Sequence, residues 1–226
     1  MGQILETQTF ILALGFGLGP VFRKAGNGSY LQFVAPGVIG MTVLFTSIFS
    51  GIGLLWDRQF GFLKETLVAP VSRLSIVTGK TLGGVTVALI QGVLVIVVCL
   101  IAGFRPVSVA ALLPAFLFMA LIALAFGGLG TAIGSRLEDM QGFQLIMNFL
   151  VMPIFFLSGA LFPLAHLPKA MSLITSADPL SYGIDGLRGT LTGLCHFGLL
   201  EDFAVLSAVS LTLLSIGSYL FSRIEL

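Results

Sequence analysis

The run from Asp57 to Lys80, DRQFGFLKETLVAPVSRLSIVTGK, decides how this chain is read. It is a charged, amphipathic island between two apolar stretches, Leu31–Trp56 and Thr81–Phe104, which contain no Asp, Glu, Lys or Arg. Each stretch can cross a hydrocarbon core, a crossing that takes about 20 apolar residues. The island therefore caps a helical hairpin on one side of a membrane, where a water-soluble partner can reach it.

Composition places the whole chain in the same class. Of its 226 residues, 57% are hydrophobic and 9% charged, whereas soluble domains carry about 25% charged residues. Mean hydropathy is +1.08. Twenty-eight glycines and twenty phenylalanines suit helices packed closely in lipid. A net charge of +1 gives no basic surface for nucleic acid. Cys99 and Cys195 fit neither a disulfide framework nor a metal site and read as free thiols. The chain is thus an all-α, polytopic membrane protein, a single domain over residues 1–226.

Uncharged runs give about six spans: Thr7–Phe22, Leu31–Trp56, Thr81–Phe104, Pro106–Ser135, Gln144–Leu157 with a broken continuation, and Phe203–Phe221. Spans three and four meet in a tight turn at Phe104-Arg105-Pro106, and spans four and five at Arg136-Leu137-Glu138-Asp139. The first span offers about 16 residues between Glu6 and Arg23, short of the usual minimum of about 17. It reads as an incomplete helix, the alternative being a short interfacial one; a basic n-region and a cleavage site, the marks of a signal peptide, are absent. The positive-inside rule does not orient the bundle. Arg58, Lys64, Arg73, Lys80, Arg136 and Arg223 fall on one side, and Arg23, Lys24, Arg105, Lys169 and Arg188 on the other, a margin of one that orients nothing.

Within the island, Phe60, Leu63 and Leu67 share one face of a short helix, which Pro70 ends by removing an N–H and crowding the preceding turn. Ser72 is then placed to cap a new helix carrying Arg73 and Lys80. Taken alone, this segment is either an interfacial anchor or a contact for a partner. Gly79-Lys80-Thr81 matches the tail of a phosphate-binding loop, but Leu74 stands where the loop needs glycine, so no nucleotide site follows.

A second informative segment is MPIFFLSGALFPLAHLPKAMSLITSADPLSYGIDGLR, Met152–Arg188. Pro153, Pro163, Pro168 and Pro179 exclude one straight helix, while Phe155, Phe156, Leu161 and Phe162 are too apolar for a solvated loop. Short re-entrant helices, shielded by packed protein, reconcile the two. Asp178, Tyr182, Asp185 and Arg188 are expected to form a polar rim. Asp185 and Arg188, at i and i+3, are either an ion pair or an ordinary surface contact, and Tyr182 is expected to be reachable from water. Gly15/Gly19, Gly79/Gly83 and Gly130/Gly134 are small-xxx-small pairs that permit close helix approach, a weak sign of a dimer.

Three segments in order, WDRQFGFLKETLVAPVSR followed by GK, PIFFLSGALFPL followed by LP, and DPLSYGIDGLR, resemble the type-two ATP-binding cassette permeases. Within these they are most similar to the daunorubicin-resistance branch of multidrug exporters; YLQFVAPGVIG, Tyr30–Gly40, is similar to the start of that family's second span. The resemblance runs from Tyr30 onward. It implies that residues 57–80 are a cytoplasmic coupling segment seated in a partner ATPase, with Gly61, Phe62, Lys64, Glu65, Val68, Pro70 and Arg73 making the contact. It further implies that both termini are cytoplasmic and that residues 152–190 are the outer re-entrant segment. The outer gate would comprise Phe155, Phe156, Ser158, Gly159, Pro163, Asp178, Pro179, Tyr182, Asp185 and Arg188. The sequence departs from the pattern in lacking a cytoplasmic amphipathic helix and a full first span before Ile4. It departs again where the family often has an aromatic near Ala170 and asparagine at position 178.

The function so implied is that of a plasma-membrane permease subunit, non-catalytic itself. It would pair with a cytosolic ATPase that binds ATP and Mg, and work as a dimer of identical or related permeases. Spans lined by Phe, Met, Ser, Thr and Gln suit apolar or amphiphilic cargo. A polysaccharide or glycolipid exporter shares the fold and is the alternative. An ion-coupled transporter is disfavoured because the expected spans hold only neutral polar groups such as Gln91, Gln144 and Asn148. An intramembrane enzyme is disfavoured because His166, His196 and Ser158 lack catalytic partners nearby in sequence.

Overall fold

The computed structural model describes residues 30–62, 72–137, 139–162 and 168–222. Among them there is helix and no strand, and five segments are long and apolar enough to cross a membrane. The expected span Thr7–Phe22 lies outside the described residues.

Helix α1 (Tyr30–Phe49) is the most enclosed span, with Val34–Gly40 buried without interruption. Its hydroxyls turn back on their own helix, Thr42 Oγ1 donating to the Val38 carbonyl at 2.9 Å and Ser47 Oγ to Leu44 at 2.9 Å. Such local bonds let polar side chains sit in an apolar environment. The expected single span Leu31–Trp56 is broken at Ser50–Gly51, where tighter bonds, Gly51 N to Ile48 O and Gly53 N to Ser50 O, lead into α2 (Ile52–Gln59). The break lies where two backbones meet, so closely that a Cβ on Gly51 would stand 2.2 Å from the Gly130 carbonyl oxygen.

Helix α3 (Arg73–Ile101) begins well before Thr81 because Ser72 caps it, its Oγ accepting from Ser75 N at 3.1 Å. The chain reverses at Ala102–Val107, with Gly103 at φ +101° and Phe104 N bonded to Cys99 O at 2.9 Å. After a short 3₁₀ turn comes α4 (Leu112–Arg136), the hub of the bundle. One glycine face of α4 meets α1 and α2; the other meets the last helix, Gly128 lying against Leu213 and Leu214. Gly130/Gly134 therefore serves packing inside the chain, whereas Cβ atoms on Gly79 or Gly83 would meet nothing within 4 Å.

Asp139 caps α5 (Met140–Ile146), which widens through Met147–Val151 before α6 (Met152–Leu157). Pro153 lacks the N–H that would bond back four residues, which accounts for the widened turn. Then come α7 (Lys169–Ala177), α8 (Pro179–Thr192) and α9 (Leu199–Ser222). Successive spans alternate in direction. Leu137 and Ser222 thus share one end with the island, while Phe104–Val107 and α8 occupy the other, where Val107 N bonds Leu191 O at 2.9 Å.

Helix α8 is the surprise. Leu180–Leu191 is buried throughout, with Gly183 against Ile122 and Leu206, and Gly186 against Phe118. Ile122 stands ten residues into α4, about 15 Å along its axis at 1.5 Å per residue. The segment expected to form a polar rim is therefore sunk between α1, α4 and α9.

Candidate functional site

At the island end, the structure ties four elements together. Lys80 on α3 pairs with Asp57 on α2. Arg58 Nη1 donates to the Leu137 carbonyl, beyond α4, at 2.9 Å, and Arg73 Nη1 to the Ser222 carbonyl at the end of α9 at 3.0 Å. Leu54, Val77 and Phe221 close a small apolar cluster between α2, α3 and α9. Lys80 is thus a structural cation in a continuous helix, and Gly79-Lys80-Thr81 has no phosphate loop before it.

Beside this brace, Trp56, Phe60 and Phe62 are 57%, 71% and 57% exposed, and Gly61 turns the chain with φ +81°. Of the expected coupling residues, Gly61, Phe62 and Arg73 are at this end. Lys64, Glu65, Val68 and Pro70 lie outside the described residues. A groove of about 530 Å³ opens between the island ends of α3 and α9, lined by Leu74, Val77, Leu82 and Leu214 with Thr78, Ser215 and Ser218.

At the opposite end, α8 carries the polar residues. Asp178 caps it, Oδ1 accepting from Leu180 N at 2.9 Å and Oδ2 from the Ser181 hydroxyl at 3.3 Å, and Pro179 fills the first position, where no N–H is needed. Burial pushes the Asp178 carboxyl up to about 7, against the pull of its two hydrogen bonds. Tyr182 is 8% exposed, its hydroxyl donating to Ser176 O at 2.8 Å and its ring stacked on Phe197 at 4.7 Å. Burial, and then the nearby charge of Glu201, raises its phenol above the usual value.

Asp185 and Arg188 form neither the ion pair nor the surface contact expected from their spacing. Asp185 Oδ2 accepts from the backbone N–H groups of His196 and Phe197 at 2.7 and 2.9 Å, which fixes the turn into α9. Arg188 points the other way: Nη2 donates to the Gly159 carbonyl at 2.9 Å, and the guanidinium lies 4.2 Å from the Phe33 ring centroid. Burial lowers its pKa to about 10, with Asp185 opposing. One helix thus holds the α8–α9 turn by a carboxylate, and α1 and the turn after α6 by a guanidinium.

The remaining outer-gate residues complete this joint. Phe155 is buried, edge-on to Phe45 at 6.0 Å, and Phe156 is 51% exposed. Ser158 Oγ donates to Phe155 O at 2.6 Å, and Gly159 takes φ +72°. Ala160 follows with its carbonyl 2.3 Å from where a Cβ on Gly37 would stand. Pro163 is outside the described residues. Sequence reasoning missed Phe33, Gly37 and Asp202. The uncharged run predicts a last span from Phe203, yet the helix begins at Leu199, and Asp202 in its first turn is wholly buried. The acidic pair Glu201-Asp202 was the available signal, since acids favour a first helical turn. Among the described residues no group of His, Cys, Asp and Glu could hold a metal ion.

The ABC-2 type transporter family profile matches residues 4–192. The chain is 32% identical over 194 residues to the putative transport permease ycf38 of Porphyra purpurea, covering 83% of this chain and 66% of that protein. It is similar to nodulation protein J of Rhizobium leguminosarum bv. viciae, 28% identical over 213 residues, 91% of this chain and 82% of the relative. The inner membrane transport permease YadH of Escherichia coli K12 is 30% identical over 208 residues, 90% and 79%. The chain spans just under two thirds of the length of the ycf38 relative.

Proposed function

We propose, starting from the fact that this chain belongs to the ABC-2 type transporter family, that it is the membrane-spanning permease subunit of an ATP-driven exporter. ATP is hydrolysed by a separate cytosolic subunit. The cargo is apolar or amphiphilic, in the manner of the daunorubicin-resistance branch, and the working unit is a dimer of permeases in the plasma membrane. Both termini and the island are cytoplasmic, and residues 152–190 form the outer re-entrant gate.

The brace at the island end carries this reading. A short element that contacts a soluble partner can act on a transport path only if its displacement reaches the spans. Here α2, α3, the end of α4 and the end of α9 are joined by Asp57–Lys80, Arg58–Leu137 and Arg73–Ser222. A push on the exposed aromatics at Trp56, Phe60 and Phe62 is therefore shared among four elements. The apolar, hydroxyl-edged groove between α3 and α9 supports an amphiphilic cargo, since such sites combine apolar walls with few polar groups.

The test compares Phe62→Ala and Glu65→Lys with wild type in transport, membrane insertion and co-purification of the ATPase. Insertion should be unchanged, because both positions lie outside the spans, while co-purification or transport falls. Full transport in both variants would reduce the island to an interfacial anchor.

A further inference from the structure

Asp202 is 0% exposed, and neither carboxylate oxygen has a hydrogen-bond partner among the described residues. It sits in the first turn of α9, with its main-chain N–H bonded to Gly198 O at 2.9 Å. An ionised carboxylate enclosed without donors is strongly disfavoured, so such a group either finds a cation or keeps its proton. Among the described residues no cation forms an ion pair with it. Asp185 on α8 and Glu201 beside it add negative charge at this point. Arg188, on the same helix as Asp185, is committed to Gly159 and Phe33. Helix α4 has Arg136 as its charged residue and α3 has Arg73 and Lys80, all at the far end of the bundle. Tyr182 on α8 also lies within electrostatic reach of Asp202, and Arg105 stands in the turn that Val107 joins to Leu191 of α8. The N-terminal dipole of α9 favours the anion with roughly half a charge, and the carboxylates of Asp185 and Glu201 oppose it.

We propose that Asp202 is a proton-binding site. Its carboxyl is held as the neutral acid while α8 lies on α9, and releases the proton to water when the two helices part. The proton then couples the outer end to pH. The packed state binds it and the parted state does not, so raising the pH favours parting. By linkage, the parted-to-packed ratio rises about tenfold per pH unit. This holds from the ordinary aspartate value near 4 up to the pH at which the packed acid ionises.

Leu187→Cys, a position buried on α8, reports parting in the full chain in lipid vesicles, read by a membrane-impermeant maleimide. Its labelling rate is compared, pH by pH, with the same cysteine in Asp202→Asn, so the thiol's own titration cancels. The ratio of wild type to variant should climb with pH by up to about tenfold per unit. Infrared spectra of wild type minus Asp202→Asn should contain the carbonyl band of a protonated carboxyl at neutral pH, and Asp178→Asn should retain that band. A flat labelling ratio, or a difference spectrum without the band, overturns the proposal. If Asp202→Asn does not accumulate, Asp202→Ser serves the same comparison.

Discussion

The glycine contact between the α1–α2 break and α4 yields the sharpest prediction on stability. A Cβ on Gly130 would stand 2.4 Å from the Ile48 carbonyl oxygen, against 3.4 Å or more for an ordinary contact. Gly130→Ala must therefore drive α1 and α4 apart by about 1 Å, and a gap of 0.5–1 Å forfeits roughly a quarter to a half of each dispersion contact along the seam. Overpacking of this kind costs about 1–3 kcal/mol, less about 1 kcal/mol regained because alanine is the better helix former. With about 2–4 °C per kcal/mol for a chain of this size, a loss of several degrees is expected at the steep end. Gly83→Ala is the matched control: the residue has the same spacing motif but nothing within 4 Å of its Cβ position, so it should be neutral or slightly stabilising. Thermal unfolding in one detergent, scored by loss of the monodisperse peak, measures both. Equal midpoints for the two variants, or the larger loss at Gly83, would refute the assignment of Gly130/Gly134 to packing within the chain.

Three further outcomes follow from the residues around α8 and the island. Arg188→Ala removes a charged hydrogen bond to Gly159, about 1.5–3 kcal/mol, and a cation–π contact of up to about 2. Relief of the buried charge offsets part of this, so a net loss of about 1–3 kcal/mol in unfolding is expected, with Arg188→Lys between it and wild type. Asp178 holds its proton up to about pH 7 when folded but only to about 3.9 when unfolded; stability is full below the lower value and declines as pH rises through 7, and Asp178→Asn should keep the cap and flatten that slope. Ser72→Ala should cost about 1 kcal/mol through the lost cap of α3, read as a lower unfolding midpoint with insertion unchanged.

Much of this architecture was legible because lipid imposes one rule, that uncharged runs long enough to cross must be helices. That rule located the last four described spans, and proline with serine at 70 and 72 placed the start of α3. It could not place α8. Residues 178–188 alternate glycine, hydroxyl and charge, which on a soluble scale reads as a water-facing rim. In the folded chain the glycines bring α8 against Phe118 and Ile122. Asp178 caps its own helix, but Asp185 and Arg188 find partners only in three dimensions, at residues 196 and 197 and at residues 159 and 33. Spacing in sequence suggested a pair at i and i+3. The pairing that formed runs to other elements, and no local pattern encodes it. Asp202 escapes for a related reason: in sequence a charge marks the edge of a span, whereas the helix starts at Leu199 and buries it.

The central claim, that this chain passes amphiphilic compounds across the membrane under the drive of a separate ATPase, is tested most directly by reconstitution. The chain is assembled in vesicles with a candidate ABC ATPase subunit, and the movement of a fluorescent amphiphile is followed with and without ATP. Movement should require both the ATPase and hydrolysable ATP, and should fall with Phe62→Ala while the amount of inserted chain stays constant. Equal movement without the ATPase, or an ATPase that neither associates with the chain nor alters movement, would contradict it.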